Sequence, residues 1–439
     1  MTSKLKNTGE SIISWQTHLI GFLTGLVTLL VSRNPWQTAD DFASEWIAGW
    51  VVREGSWDHL YDHEDLDFSI IWGPVWPRIA EEKAPTIFPH PFVQEPLVAT
   101  FHGWLTHIMS FAQAYAILVV LSCWAAAVMI GAAWYIWTKK ASPTKFLFIA
   151  LTLLWLTYPF QIGVNLGQTS LLVYGASTYA IAAADRRPIL SGVLLSLATL
   201  VKLSPVIFVV IFLVFKKTRK AGIVSIIAGV FLVILSLLTA PWSVHLTWIH
   251  RMRAISKTAI VSPATESLES LWSYKKVWEA EDDWHRSPVL QLSPAPMAPK
   301  IITAVVTLAF VALLVWAARK YRNRAYAILS VGALSLITMS SGLTWHHYFV
   351  MIAVPLIPIY LYSERRLMTA FITLPFLTPY FPTLAFGATT RYRWPLYILQ
   401  GGRMLGLFVT LIVFAALFLV PRTKSLEQSE AETIAKVTN

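Results

Sequence analysis

Charged residues are scarce in this sequence. Asp, Glu, Lys and Arg make up 13% of its 439 residues, whereas 56% are hydrophobic. Soluble domains carry about 25% charged residues, so the composition excludes an ordinary soluble globular protein. Backbone N–H and C=O groups must be satisfied internally in lipid, and long apolar runs are therefore typical of spanning helices. The sequence predicts an all-α polytopic membrane protein.

Cysteine is almost absent, and no internal repeat is evident. The one cysteine, Cys123, lies inside an apolar run, which excludes an intramolecular disulfide and a thiolate metal site. Inverted repeats are common in secondary transporters, so their absence weighs against that class. The first apolar run, Ile12 to Val31, lacks a small-residue cleavage site, and we expect an anchor rather than a cleaved signal peptide.

The net charge of +11 is concentrated in short basic clusters between the apolar runs. This distribution is typical of cytoplasmic loops, so we expect contacts with membrane lipids and no nucleic acid partner. With about 20 residues per span, the chain is expected to cross the membrane eleven or twelve times, with both termini in the cytoplasm. The predicted spans are residues 12–32, 112–137, 146–159, 163–184, 221–241, 299–318, 325–342, 347–363, 367–385 and 397–421, with two short helices in 188–215.

Two segments need a special interpretation to keep the basic clusters on one side. Residues 188–215 are too long for one span, and Pro205 disfavours helix at Ser204, so two short helices are expected to meet at Lys202 to Pro205 on the outer side. Residues 91–109 begin with "HPFVQEPLVA" and are predicted to form an interfacial or re-entrant helix. Residues 1–425 are expected to form one transmembrane catalytic domain, followed by a polar cytoplasmic tail, 426–439.

Long loops at 33–90 and 242–298 are expected on the outer side. The first is strongly acidic, and its acids are expected to form a solvated face. The alternative is a loop-bound Ca²⁺, for which the candidate ligands are Asp58, Asp62, Glu64, Asp65 and Asp67.

Polar residues with no obvious reason to lie at a membrane boundary all fall on this outer side. Ionisable residues at membrane depth are costly and are functional candidates by default. They are Asp40 and Asp41 after the first span, Asn165 and Gln168 in "NLGQTS", Lys202 in "VKLSP", Trp345, His346 and His347 in "TWHHY", and Arg391, Arg393 and Arg403 at the last outer turn.

Each candidate also has a purely structural interpretation. Asp40 or Asp41 could serve only as a helix cap. The lysine and the arginines could only contact lipid phosphates, and the two amides could only join helices. The two histidines could be interfacial structural residues.

One chemistry would use the whole set. A carboxylate can take a proton from a hydroxyl as general base, and cationic groups can bind a phosphate and stabilise its charge as it leaves. Soluble nucleotide sugars are not expected outside the cytoplasm, so the donor would be lipid-linked. Asp41 would be the base, and Lys202, His347 and an outer arginine would hold the phosphate. Neither a metal nor another cofactor is needed, because the phosphate is already an activated leaving group.

These residues also carry a resemblance to a known family. The order Asp41-Phe42, Trp46, Ala48-Gly49 and Leu60-Tyr61-Asp62, followed by "FPHPFVQEPLVA", "NLGQTSLL", "VKLSP" and "TWHHY", resembles the polyprenyl-phosphate-sugar-dependent glycosyltransferases of the GT-C superfamily. It is most similar to the bacterial α-mannosyltransferases that use polyprenyl-phosphate-mannose, including the mycobacterial phosphatidylinositol-mannoside enzyme.

The resemblance implies a many-helix GT-C fold in the bacterial inner membrane, with an inverting transfer at its outer face. It implies Asp41 as the catalytic base and His347 as the donor-phosphate ligand. From their position at the last outer turn, Arg391 and Arg393 are expected as further phosphate ligands. Asp40, His346, Gln168, Asn165 and Trp345 would support them. The expected acceptor is a hydroxyl of a glycolipid or glycan.

The sequence departs from the family pattern at Glu95 and in the long loop 242–298. An arabinofuranosyl donor therefore remains an alternative to mannose. A lipid-linked sugar transporter or flippase would need polar groups near the bilayer midplane, and the cytoplasmic halves of the spans are nearly free of acids. A non-catalytic scaffold would not explain Asp41 and His347 on one side.

Overall fold

Helices make up nearly all of the regular structure in the described part of the chain. A computed structural model describes residues 11–31, 39–62, 73–84, 90–261, 265–273, 290–292, 294–340, 343–362 and 394–419. Its main elements are α1 (Trp15–Val31), α2 (Asp40–Arg53), α3 (Val75–Lys83), α4 (Pro96–Ile108), α5 (Phe111–Thr138), α6 (Thr144–Trp155), α7 (Tyr158–Asn165), α8 (Ser170–Ala183), α9 (Pro188–Val201), α10 (Ile207–Val214), α11 (Arg219–Thr239), α12 (Trp242–Lys257), β1 (Ala259–Val261), β2 (Leu290–Leu292), α13 (Met297–Lys320), α14 (Ala325–Ser340), α15 (Ala353–Tyr362) and α16 (Trp394–Leu419).

Several of these helices are suited to a lipid bilayer. Among the described helices, α5, α11 and α13 are each long and apolar enough to cross it alone, and α6 with α7 passes the same test as a bent pair. Large apolar side chains on α11 and α13, such as Ile227 and Leu308, are exposed, as expected for surfaces that face lipid. The chain is a membrane protein. The count of eleven or twelve spans stays a prediction, and the span expected at 367–385 lies outside the described residues.

The boundaries predicted at 146–159 and 163–184 are wrong. Helix α6 ends at Trp155, and α7 leaves it at an angle of 72°. Pro159 lies in the first turn of α7, where its missing N–H is not needed, and this favours a new helix start. Helix α7 stops at Asn165, and α8 begins at Ser170. Residues 166–169 therefore form a turn between helices rather than the start of a span.

The break predicted within residues 188–215 is confirmed. Helix α9 ends at Val201, Lys202 is extended, and a short 3-10 turn over Ser204–Val206 leads into α10. Asp185, before α9, and Lys216, after α10, line the same cavity. The chain therefore leaves this end of the molecule through α9 and returns to it through α10.

The first of the two loops expected on the outer side is built around α2, which packs against α4. Nine of its fourteen residues are buried, and Arg53 at its end donates to the carbonyl oxygen of Thr106 at 2.7 Å. Helix α4 spans 13 residues, too few to cross a bilayer.

Glu95 anchors the start of α4. One carboxylate oxygen accepts a hydrogen bond from the backbone N–H of Leu97 at 2.8 Å, and the other accepts from the hydroxyl of Ser236 on α11. The departure from the family pattern at position 95 is thus a helix cap that ties α4 to a neighbouring helix.

The second loop expected on the outer side contains α12 and a two-stranded antiparallel sheet. Ala259 pairs with Leu292, and Val261 pairs with Leu290. Just after β1, Thr265 forms an isolated β-bridge with Trp345. This loop is therefore joined to the "TWHHY" segment.

Candidate active site

Asp41 lies in the first turn of α2. The helix begins at Asp40, its cap position is occupied by Ala39, and no side chain makes a capping hydrogen bond. The interpretation of Asp40 or Asp41 as the helix cap is therefore wrong. Two carboxylates in the first turn are favoured instead by the partial positive charge at a helix N-terminus.

The turn after α7 holds the start of α2. The backbone N–H of Phe42 donates to the carbonyl oxygen of Leu166 at 3.0 Å, and the side-chain amide of Gln168 donates to Oδ2 of Asp41. Gln168 therefore orients the carboxylate that the sequence predicts to be the base. Asn165 contributes a carbonyl oxygen, which accepts from the hydroxyl of Tyr115 at 3.2 Å.

Gly167 makes this contact possible. Its φ is +71°, and a Cβ placed on it would lie 2.5 Å from Cβ of Phe42. A residue with a side chain would be strained at this φ and would also push α2 away. The glycine of "NLGQTS" is therefore required where the turn meets the helix that carries Asp41.

A matched pair of glycines tests this contact. We expect Gly167→Ala to destabilise the protein by about 2–4 kcal/mol, because left-handed strain of about 1–2 kcal/mol adds to overpacking. Gly55 has a similar φ of +73° with no atom within 4 Å, so Gly55→Ala should cost about 1 kcal/mol. Thermal unfolding of the detergent-solubilised protein would measure both. Equal losses would mean that the contact with Phe42 adds nothing.

His90 is a neighbour of Asp41 that the sequence analysis missed. Its Nε2 lies 3.7 Å from Oδ1 of Asp41, and its side chain is 41% exposed. The only signal in the sequence is a histidine between two prolines, in "PHP".

Glu45, one helical turn after Asp41, was also missed. It is buried, accepts a hydrogen bond from Gln94 at 2.6 Å and lies 3.1 Å from Nε2 of buried His102 on α4. A buried carboxylate needs such partners. This cluster fixes α2 against α4 and against the segment that carries His90.

The Leu60-Tyr61-Asp62 motif supports the loop. Leu60 is fully buried, and the Tyr61 hydroxyl donates to the carbonyl oxygen of Gln94 at 2.6 Å. Burial, with the negative charge of Glu95, raises the pKa of Tyr61 well above its ordinary value, so the hydroxyl stays protonated as a donor. Asp62 pairs with His59 at 2.8 Å. Of the other acids in the calcium alternative, Glu64, Asp65 and Asp67 lie outside the described residues.

Lys202 and His347 meet at Tyr348. The ammonium group of Lys202 lies 4.3 Å from the centre of the Tyr348 ring, and the His347 ring packs edge-on against the same tyrosine. His347 is 3% exposed, and its Nε2 has no hydrogen-bond partner in the described part of the chain. A buried polar atom without a partner costs free energy, which a bound acceptor oxygen would recover.

His346 points to different partners from those of His347. Its Nδ1 lies 2.5 Å from the buried carboxylate of Glu266, and its ring packs against Tyr158. The backbone N–H of Glu266 donates to the carbonyl oxygen of Thr344 at 2.7 Å. Together with the bridge at Trp345, these contacts tie the segment around Glu266 to "TWHHY". Glu266 was missed because it lies about 80 residues away in the sequence.

One short segment, Gly163 to Gln168, connects Asp41 with His347. A Cβ on Gly163 of α7 would lie 3.1 Å from Cβ of His347, and the Gly163 carbonyl oxygen accepts from the backbone N–H of Gln168 at 2.8 Å. Gln168 in turn holds Asp41. The structure therefore brings Asp41, Gln168, Lys202 and His347 to the same end of the molecule. Arg391 and Arg393 lie outside the described residues, as does the side chain of Arg403.

A comparison with known protein families decides the class of this protein. The sequence model of glycosyltransferase family 87 matches residues 94–341, more than half of the chain. The protein belongs to glycosyltransferase family 87. This family is a GT-C-type family of membrane glycosyltransferases, so the protein acts on a sugar donor and an acceptor. No curated protein matches the chain significantly.

The matched part of this glycosyltransferase covers only some of the site. Gln168 and Lys202 lie within it, whereas Asp41 precedes its first residue and His347 follows its last. Contacts of Gln168 with Asp41 and of Lys202 with Tyr348 connect the matched region with both flanking segments.

Proposed function

We propose that this glycosyltransferase moves a sugar from a polyprenyl-phosphate donor to a hydroxyl of a glycolipid or glycan at the outer face of the bacterial inner membrane. The observation that carries the proposal is the placement of Asp41 and His347 on either side of one short segment, Gly163 to Gln168. In a direct transfer, the base and the phosphate site must flank the same sugar. The six residues from Gly163 to Gln168 that lie between Asp41 and His347 support this arrangement.

Asp41 acts as general base in this proposal. Its carboxylate removes the proton of the acceptor hydroxyl while the acceptor oxygen attacks the anomeric carbon. The bond between that carbon and the phosphate oxygen breaks, and the electron pair leaves with the phosphate. Attack from the face opposite the phosphate inverts the anomeric configuration. Gln168 holds the carboxylate in the orientation that this step needs.

Lys202 and His347 bind the donor phosphate. The Lys202 ammonium, 4.3 Å from the Tyr348 ring centre, is placed to offset the negative charge of the phosphate as it leaves. Nε2 of His347 can serve a phosphate oxygen with a hydrogen bond when the imidazole carries its proton there. Arg391 and Arg393 are proposed as further phosphate ligands on sequence grounds alone. The chemistry uses neither a metal nor another cofactor.

Mannose is the proposed sugar, because the motifs resemble the mannosyltransferase branch. The test is incubation of the purified protein with polyprenyl-phosphate-mannose or, separately, polyprenyl-phosphate-arabinose, together with a membrane lipid extract. Mass spectrometry of the lipids should detect a product heavier by one hexose in the first reaction. A product heavier by one pentose in the second reaction alone would identify the arabinofuranosyl alternative. No product with either donor, from folded protein, would contradict the proposal.

A further inference from the structure

A cavity lies at the end of the molecule opposite the candidate active site. At one end of α5, Tyr115 contacts the turn that holds Asp41; at the other end, Trp137 lines the cavity. These two residues of α5 are about 33 Å apart at 1.5 Å per residue. The cavity, of about 590 Å³, is therefore separate from the proposed transfer site.

Positive charge converges on this cavity from three separate parts of the chain. One lysine follows α5, two lysines follow α10, and two arginines lie between α13 and α14. Among the described lining residues, Asp185 is the sole carboxylate. The five cations are Lys139, Lys216, Lys217, Arg322 and Arg324.

Among the described residues, much of this charge is not paired with a carboxylate. None of the ion pairs within 4.0 Å in the described part of the chain includes Lys139, Lys217 or Arg322. Although the Lys139 side chain is solvent-accessible, the surrounding protein lowers its pKa by desolvation. Arg186, Lys217 and Arg324 lower it further, and Asp185 opposes them. A bound anion would relieve this repulsion.

Arg324 is held in place before any ligand binds. It donates to the hydroxyl of Tyr362 at 2.8 Å, and its guanidinium lies over the rings of Tyr362 and Trp137. A fixed guanidinium suits the planar, bidentate recognition of a phosphate. The lysine side chains are flexible, so they add positive charge without a fixed geometry.

Part of the remaining wall of the cavity is apolar. Ile136, Ile181, Phe215 and Leu361 line it beside the cations, at or next to the ends of α5, α8, α10 and α15. A small soluble anion would make no favourable contact with these apolar side chains, whereas a lipid carries apolar carbon next to its phosphate. The volume is within the range of small-molecule sites.

We propose that this basic cavity binds the phosphate-bearing headgroup of an anionic membrane lipid. It would take a lipid from the leaflet next to the basic clusters, which the charge distribution assigns to the cytoplasmic side. A lipid held there would join the ends of α5, α10 and α15. The site is distinct from that of the polyprenyl-phosphate donor and does not depend on the proposed reaction.

The test compares two triple variants with the same change in charge on the same face. The cavity variant is Lys139→Gln, Lys217→Gln and Arg322→Gln. The control is Lys140→Gln, Lys220→Gln and Arg319→Gln, whose side chains are exposed and do not line the cavity. Native mass spectrometry of the full-length protein would measure the binding of phosphatidylglycerol and, separately, of phosphatidylcholine.

The expected result is tighter binding of phosphatidylglycerol than of phosphatidylcholine by the wild-type protein. The cavity variant should lose about 10- to 100-fold in phosphatidylglycerol affinity, and the control less than about threefold. Equal losses in both variants would mean that diffuse surface charge attracts the lipid, and the site would be rejected. Displacement of the lipid by inorganic phosphate at equal concentration would overturn the lipid as the ligand.

Folding is checked separately. Thermal unfolding in phosphatidylcholine should give the same midpoint for both triple variants. If the cavity variant unfolds earlier, the single substitution Lys217→Gln on the exposed rim replaces it. That variant should show a smaller loss in the same direction, and an unchanged affinity would refute the proposal.

Discussion

Asp41→Asn is expected to lower the rate of sugar transfer by about 10²- to 10⁴-fold, the usual contribution of a general base. The amide is nearly isosteric with the carboxylate but cannot accept the proton of the acceptor hydroxyl. Because the donor phosphate is proposed to bind at Lys202 and His347, donor binding should change little. Initial rates with polyprenyl-phosphate-mannose, together with a donor-binding titration, would separate the two effects.

Asp40→Asn is the matched control. Both aspartates lie in the first turn of α2, so each substitution removes one charge from the same helix end. The aspartate that accepts the hydrogen bond from the Gln168 side chain is Asp41. The Asp40 variant should retain most of the activity. If Asp40→Asn were the more severe of the two, Asp41 would not be the base.

Lys202→Met is expected to lower kcat/KM for the donor by about 10- to 100-fold. Hydrogen bonds to charged groups contribute about 1.5–3 kcal/mol, and methionine keeps the apolar stem while removing the ammonium group. The loss should appear in KM, in kcat or in both, since the phosphate gains negative charge as the sugar leaves. Lys140→Met, at the other end of the molecule, is the control and should leave transfer unchanged.

His347→Ala should lower kcat/KM to a similar extent, and the double variant tests whether both residues serve one phosphate. Groups that act on the same ligand show non-additive effects. The loss in Lys202→Met with His347→Ala should therefore be smaller than the product of the two single losses. Fully multiplicative losses would mean that the two side chains act independently of each other.

Much of the fold follows from local sequence. The apolar runs at 112–137, 221–241 and 299–318 became helices because each is long, uniformly apolar and bounded by charge at one end at least. The break at Lys202 followed from Pro205, which acts on its immediate neighbours. The bend of 72° between α6 and α7 was missed because hydropathy measures the length of an apolar run and not its direction.

The same division holds for the candidate site. Asp41, Gln168, Lys202 and His347 were singled out because each is polar beside apolar sequence. His90, Glu45 and Glu266, which pack against Asp41, His102 and His346, were missed. Nothing in a histidine between two prolines, or in a lone glutamate, indicates which distant residue it will meet. A contact between residues 266 and 346 depends on how the chain folds back between them.

The sequence by itself determined that this chain lies in a membrane and predicted that its polar candidates share one side, because hydropathy and charge act through local composition. Only the tertiary structure decided which of those candidates touch. Gln168 reaches Asp41 since a left-handed glycine lets one turn approach α2, and Lys202 reaches His347 through a tyrosine on another helix. These pairings depend on packing between distant segments, which short-range pattern does not encode.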